Sequence, residues 1–146
     1  MAAGLPNPDN RGPPATVTSI AVPRELKLIG HAILESAGKV HATLGPGLLE
    51  TVYEVCLSHE LQRRGLKVLR QVPMPVMYEE LRFHTGMRLD LLVEDAVIVE
   101  IKTTERLHPV HEAQLLTYLK LTGRQLGYLI TFNVSEIRSG IRRIIL

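Results

Sequence analysis

The sequence has no tryptophan, two phenylalanines, four tyrosines and one cysteine among its 146 residues. With so few rings, its core must be built from aliphatic side chains. The lone Cys56 cannot form an intramolecular disulfide, which fits a reducing, cytoplasmic compartment. It falls within an apolar helical pattern and reads as a core residue rather than a nucleophile. No apolar run approaches the ~20 residues that cross a bilayer. No charged segment followed by an apolar one opens the chain, so neither a membrane partner nor a secretory leader is expected. The formal charge of +2 is too small to argue for a nucleic-acid partner by itself. Glycine-rich phosphate loops and Ser/His/Asp arrangements are absent. The histidines show no metal-ligand spacing with Cys56 or with one another, so zinc is not expected.

What is present is an ordinary globular composition, 45% apolar and 22% charged, at a length that suits one domain. Residues 1–23 hold five prolines, two glycines and no periodic apolar face, which predicts a flexible tail. The remaining 24–146 read as a single domain. Leu28, Ile29, Ile33, Ala37, Val40 and Leu44 follow helical spacing up to a break at Gly45–Gly47. A second helix runs from about Leu48 to Arg64 and a third over "HPVHEAQLLTYLKLTG", with Pro109 in its first turn. Strand patterns occupy "LKVLRQVP", "MPVMYEEL", 87–93, 96–103, "QLGYLITF" and "GIRRIIL". The predicted order is α-α-β-β-β-β-α-β-β, an α/β fold with a mixed sheet flanked by helices.

The hairpin "MRLDLLVEDAVIVEIKTTE" carries charge where a buried strand should have none. Residues i and i+2 of a strand share a face, so Glu100 and Lys102 point the same way as Ile98. Val97, Val99 and Ile101 point the other way. Asp90 faces Glu100 if three residues connect the strands around Asp95, whereas a two-residue Glu94–Asp95 turn would oppose it to Val99. The absence of an Asn-Gly or Asp-Gly pair favours the longer connection. Two carboxylates side by side repel unless a cation stands between them, and a hard divalent ion prefers such oxygen ligands. A lysine beside them can orient an attacking water or stabilise charge on a phosphate. An ion pair at a solvated sheet edge is the alternative explanation of the same three charges.

Other polar residues could converge on this point. Glu50 and Tyr53 share one side of the second helix, and Gln114 and Tyr118 one side of the third. His111 lies one turn before Gln114, its role open. For each, taken alone, dipole complementation, core packing, an amphipathic boundary or a helix-surface position is the commoner role. Basic residues at Arg63, Arg64, Lys67 and Arg70, and at Arg138, Arg142 and Arg143, would suit phosphates or a solvated face.

Taken together these residues resemble the GxxExxY protein family. "GLLETVY" matches its signature through Gly47, Glu50 and Tyr53. "LDLLVEDAVIVEIKTTERLHPVHEAQLLTYLKLTG" and "GIRRIIL" are similar to the rest, so the likeness runs from about Ile29 to Leu146. "ITFN" near Thr131 departs from it, standing where many relatives carry Asn before Phe. The family is placed in the PD-(D/E)XK nuclease superfamily, near a RecB-like branch with a Q-x-x-x-Y motif.

The resemblance implies a metal-dependent nuclease that hydrolyses nucleic acid, DNA before RNA, with Mg²⁺ or Mn²⁺. It assigns Asp90, Glu100 and the Ile101 backbone carbonyl to the metal, with Glu50 completing the acidic site. Lys102 would act on the water or the phosphate, and Gln114 and Tyr118 would position the phosphate or Lys102. At this length the chain shows no helicase or specificity domain, so a homodimer or a helicase-type partner is expected. A module that keeps the fold and binds nucleic acid or a partner without cleaving is the alternative function.

Overall fold

The computed structural model describes residues 21–84 and 86–146. Most of the tail expected at 1–23 lies outside these residues. Of its last three positions, Val22 is packed into the core, because it precedes α1 directly and its apolar side chain can reach the same cluster. Helix α1 (Arg24–Leu44) is followed by α2 (Glu50–Arg63). Ion pairs Lys39–Glu60 and Arg64–Glu35 link residues of rising number on one helix to falling number on the other, so the two run antiparallel.

Strands β1 (Val68–Pro73), β2 (Val76–Tyr78), β3 (Leu81–Phe83), β4 (Arg88–Val93) and β5 (Val97–Lys102) come next. Helix α3 (Pro109–Thr122), β6 (Leu126–Thr131), a 3₁₀ turn (Ile137–Gly140) and β7 (Ile141–Ile145) complete the chain. Five strands form one mixed sheet in the order β1-β4-β5-β6-β7. Only β5 and β6 are parallel, as a strand–helix–strand crossover through α3 requires. The α/β architecture with flanking helices is the one expected. The single strand expected over "MPVMYEEL" is instead two short ones, β2 and β3, forming their own hairpin. Glu79, at φ 51°, makes the turn between them without the Gly or Asn that usually signals one.

The sheet is covered on both faces. On one, Ile33, Ala37, Tyr53, Leu57 and Leu61 of α1 and α2 pack on Leu91, Val93, Val97, Val99, Ile101 and Ile130. On the other, Leu115, Tyr118 and Leu119 of α3 pack on Leu92, Ile98 and Leu129. A Cβ at Gly127 would lie 3.0 Å from Leu115 Cδ1, so the glycine lets α3 sit close on β6. Central strands covered on both faces explain why β5 and β6 read as near-continuous apolar runs. No helix among the described residues is long and apolar enough to cross a membrane.

Candidate active site

The β4–β5 hairpin takes the longer connection. Val93 pairs with Val97, Leu92 with Ile98 and Leu91 with Val99, leaving Glu94, Asp95 and Ala96 between the strands. Glu94 and Asp95 both have positive φ, 53° and 54°, and the Ala96 N–H donates to the Val93 carbonyl at 3.0 Å. Continuing this register sets Asp90 opposite Glu100, and there the ladder changes character. The Asp90 N–H donates to Glu100 Oε1 (3.1 Å), and the Ile101 N–H donates to Asp90 Oδ2 (2.8 Å). Side-chain carboxylates have replaced backbone carbonyls as acceptors across the two strands.

This insertion fixes the electrostatics. Glu100 is only 4% exposed. Burial, then the neighbouring Asp90 carboxylate, pushes its carboxyl up to about 8. Asp90 is also raised, first by burial and then by Glu54, against the Ile101 N–H that stabilises its anion. Like charges this close require a proton or a cation between them.

Glu50 opens α2, directly after the Gly45–Gly47 turn. Gly45 (φ 68°) and Gly47 (φ 97°) supply backbone conformations that side chains disfavour. Tyr53, one turn along α2, holds that turn in place. Its hydroxyl donates to the Gly45 carbonyl at 2.6 Å and accepts the Leu48 N–H at 3.1 Å, while its ring stacks on Phe132 with centroids 4.5 Å apart. The Glu50 carboxyl is raised by burial and then by Asp90, and lowered by Lys102, so it looks onto the same charges. Among the described residues, however, no three His, Cys, Asp or Glu side chains gather closely enough to enclose a metal ion. Glu50 stands at the start of α2, within electrostatic reach of Asp90 and Lys102.

Lys102 leaves β5 two residues after Glu100, and its Nζ donates to Gln114 Oε1 of α3 at 3.3 Å. Tyr118, one turn further, is buried, and its hydroxyl is raised by burial and then by the charges of Glu100 and Asp90. Gln114 and Tyr118 are thus brought to the carboxylate pair and its lysine. His111 accepts the His108 N–H through Nδ1 at 3.2 Å and so caps α3. Burial, then Lys102, then His108 hold its imidazole below the usual range. The Ile101 N–H meets Asp90 Oδ2, which places that residue's backbone beside the pair.

Two participants escaped the sequence. Glu54, 3% exposed, accepts from Arg70 Nε (3.2 Å) and Gln71 Nε2 (2.9 Å). Gln71 also reaches Asp90 Oδ1 at 3.5 Å, from a left-handed backbone conformation (φ 52°) inside β1. Glu54 lies four residues after Glu50 on α2, and that i, i+4 spacing was the available signal. Gln71 gave none, since a left-handed residue within a strand needs Gly or Asn to be legible. Of the basic residues, Arg64 pairs with Glu35, Arg70 with Glu54 and Arg142 with Glu112 (3.7 Å).

The donor set suits a hard divalent cation. Mg²⁺ is held through one or two carboxylates and keeps several waters, so the Asp90–Glu100 pair with a backbone carbonyl is enough.

A family model described as the PD-(D/E)XK nuclease superfamily matches residues 27–144. No curated protein and no solved structure matches the chain.

Proposed function

The chain belongs to the PD-(D/E)XK nuclease superfamily, and on that premise we propose that it is a divalent-metal-dependent nuclease that hydrolyses phosphodiester bonds, with DNA its first substrate. The observation that carries this reading is the carboxylate pair built into the β4–β5 ladder, with Lys102 two residues beyond it. Asp90, Glu100 and the Ile101 carbonyl would hold a divalent cation, Mg²⁺ or Mn²⁺, which when bound would lower the pKa of a water and offset charge on the phosphate.

The chain's own residues do the rest. Gln114 accepts from the Lys102 ammonium and so limits where it can swing. From there Lys102 donates to a phosphate oxygen or to the attacking water and stabilises the charge that develops in the transition state. Tyr118, kept protonated by burial and by the two acids, offers a second donor from α3. Glu50, at the start of α2 and facing Asp90 and Lys102, completes the acidic site or helps hold a second metal. Gln71 ties Asp90 to Glu54 and keeps the Asp90 carboxylate turned toward Glu100.

The placement among GxxExxY proteins near the RecB-like branch is part of the same proposal. Tyr53 locks the turn that presents Glu50, which gives the G-x-x-E-x-x-Y spacing a physical reason. Gln114 and Tyr118 meet the lysine and the acids from one face of α3, as the Q-x-x-x-Y spacing would need. A helicase-type partner or a second copy, and a cytoplasmic setting, belong to the same proposal.

The test is a cleavage assay with labelled single- and double-stranded DNA and RNA in Mg²⁺, Mn²⁺ or EDTA. The wild type is compared with Asp90→Asn and Lys102→Ala. Cutting that requires the metal and is lost in both variants is expected. Cation binding by the wild type with no cutting of any substrate would leave a binding module and end the nuclease assignment.

A further inference from the structure

A second concentration of positive charge lies away from the carboxylates, where α1 crosses the free edge of the sheet. Lys27, His31 and Leu34 form one stripe of α1. Facing them across a cavity of about 530 Å³ are Tyr128 of β6 and Ile141 and Arg143 of β7. Tyr128 and Arg143 are direct cross-strand partners. Tyr128 pairs on its other side with Val99 of β5, whose side chain belongs to the α1–α2 face. Glu100 and Lys102 point to the opposite face, so this pocket and the carboxylate pair are separate places.

Three features mark the pocket as built to receive something. No carboxylate lines it, and among the described residues Lys27 and Arg143 have no acidic partner. Tyr128 is 4% exposed, yet among the described residues its hydroxyl has no hydrogen-bond partner. Among the described residues Ser36 Oγ is the fully buried polar atom without a partner, so the Tyr128 hydroxyl keeps contact with the open cavity and is free to donate to a ligand oxygen there. Finally, a Cβ at Gly30 would collide with that hydroxyl, so the glycine is what lets the tyrosine reach the cavity against the helix backbone.

We propose that this pocket binds a phosphate group carried by a ligand of mononucleotide size. Lys27 and Arg143 supply the charge, and His31 and the Tyr128 hydroxyl supply donors to further phosphate oxygens. Leu34 and Ile141 give an apolar wall for the rest of the ligand. The volume falls within the range of small-molecule sites. Two sources share this chemistry: a free mononucleotide, and the terminal phosphate of a nucleic-acid strand. The inference does not depend on the nuclease assignment.

Backbone amide NMR of the whole chain, titrated with inorganic phosphate against sodium chloride of equal ionic strength, is the test. Saturable shifts confined to phosphate are expected at Gly30, His31 and Arg143. Arg143→Gln should weaken binding about tenfold and Tyr128→Phe about threefold, since each removes a donor to a charged oxygen. Tyr128→Phe removes one atom and should keep the melting temperature. Glu100→Gln should leave the titration unchanged. Titrations with dAMP and with a short oligonucleotide bearing a 5′-phosphate or a 5′-hydroxyl then distinguish the sources. Tighter binding of the phosphorylated strand than of dAMP assigns strand ends, and the reverse order assigns the free nucleotide. Equal responses to chloride and phosphate, or wild-type affinity in both pocket variants, would overturn the proposal. So would loss of the phosphate response in Glu100→Gln, which would put the anion at the carboxylate pair.

Discussion

Loading the Asp90–Glu100 pair with a divalent cation must expel a proton. The Glu100 carboxyl is pushed up to about 8, so at pH 7 roughly nine molecules in ten carry that proton. Cation binding needs the carboxylate. Release should therefore approach one proton per cation at pH 7, fall to about half at pH 8 and to roughly a tenth at pH 9. Apparent affinity for Mg²⁺ or Mn²⁺ should fall about tenfold for each pH unit below 8. The sign for stability follows from the same shift. Glu100 titrates at 4.5 when unfolded and near 8 when folded, so the folded state binds the extra proton between these values. Without a cation, stability therefore declines as pH rises through that window, by on the order of 5 kcal/mol at the upper limit. Asp90, also raised, acts in the same direction. Calorimetric titration of Mn²⁺ at pH 7 in two buffers of different protonation heat reads the proton count directly. Glu100→Gln, which keeps an acceptor for the Asp90 N–H, should abolish the release and flatten the pH dependence of the urea midpoint. Wild-type heats that are independent of buffer, with an affinity flat from pH 6 to 8, would refute the reasoning.

Other expectations follow from single contacts. Lys102→Ala should reduce kcat by about 10²–10³-fold with Mn²⁺ affinity unchanged, because the ammonium acts on the developing charge rather than on the cation; steady-state cleavage beside calorimetry checks both. Tyr53→Phe removes the hydroxyl that pairs with the Gly45 carbonyl and the Leu48 N–H, and should cost about 1–3 kcal/mol by urea denaturation. Gly140→Ala drives a Cβ into the Thr131 backbone carbonyl and should cost about 1–3 kcal/mol on the same measurement. Gln71→Gly should lose cleavage and lower the urea midpoint, because the buried Glu54 carboxylate and Asp90 lose their shared donor, a loss larger than the relief of the left-handed backbone.

The sheet and its helices were legible because their signals are periodic. Val97, Val99 and Ile101 alternate with Ile98 and Glu100 in sequence, and they divide between the two cores in the same way. The register of Asp90 against Glu100 turned on one residue of loop length, and the absence of a turn-forming glycine pointed to the longer form. Legibility failed where local conformation defied residue type. Glu79, Gln71, Glu94 and Asp95 all take positive φ without being glycine. The first two concealed a hairpin and a donor to Asp90. Glu54 was missed because an acid on a helix is usually solvated, and only the sheet packed against α2 shows that this one is buried.

Two rungs joining β4 to β5 are side chains, and that gives the sheet an unusual weak seam. A backbone carbonyl cannot leave its partner unless its strand moves. A carboxylate can rotate away while both strands stay in place. The amides of Asp90 and Ile101 should therefore exchange hydrogen with solvent through small local fluctuations, insensitive to denaturant. Those of Leu91 and Val99, one step along, should wait for global unfolding. Deep in a covered sheet, two fast amides beside slow ones would report how often the carboxylates swing free, residue by residue and without any substrate.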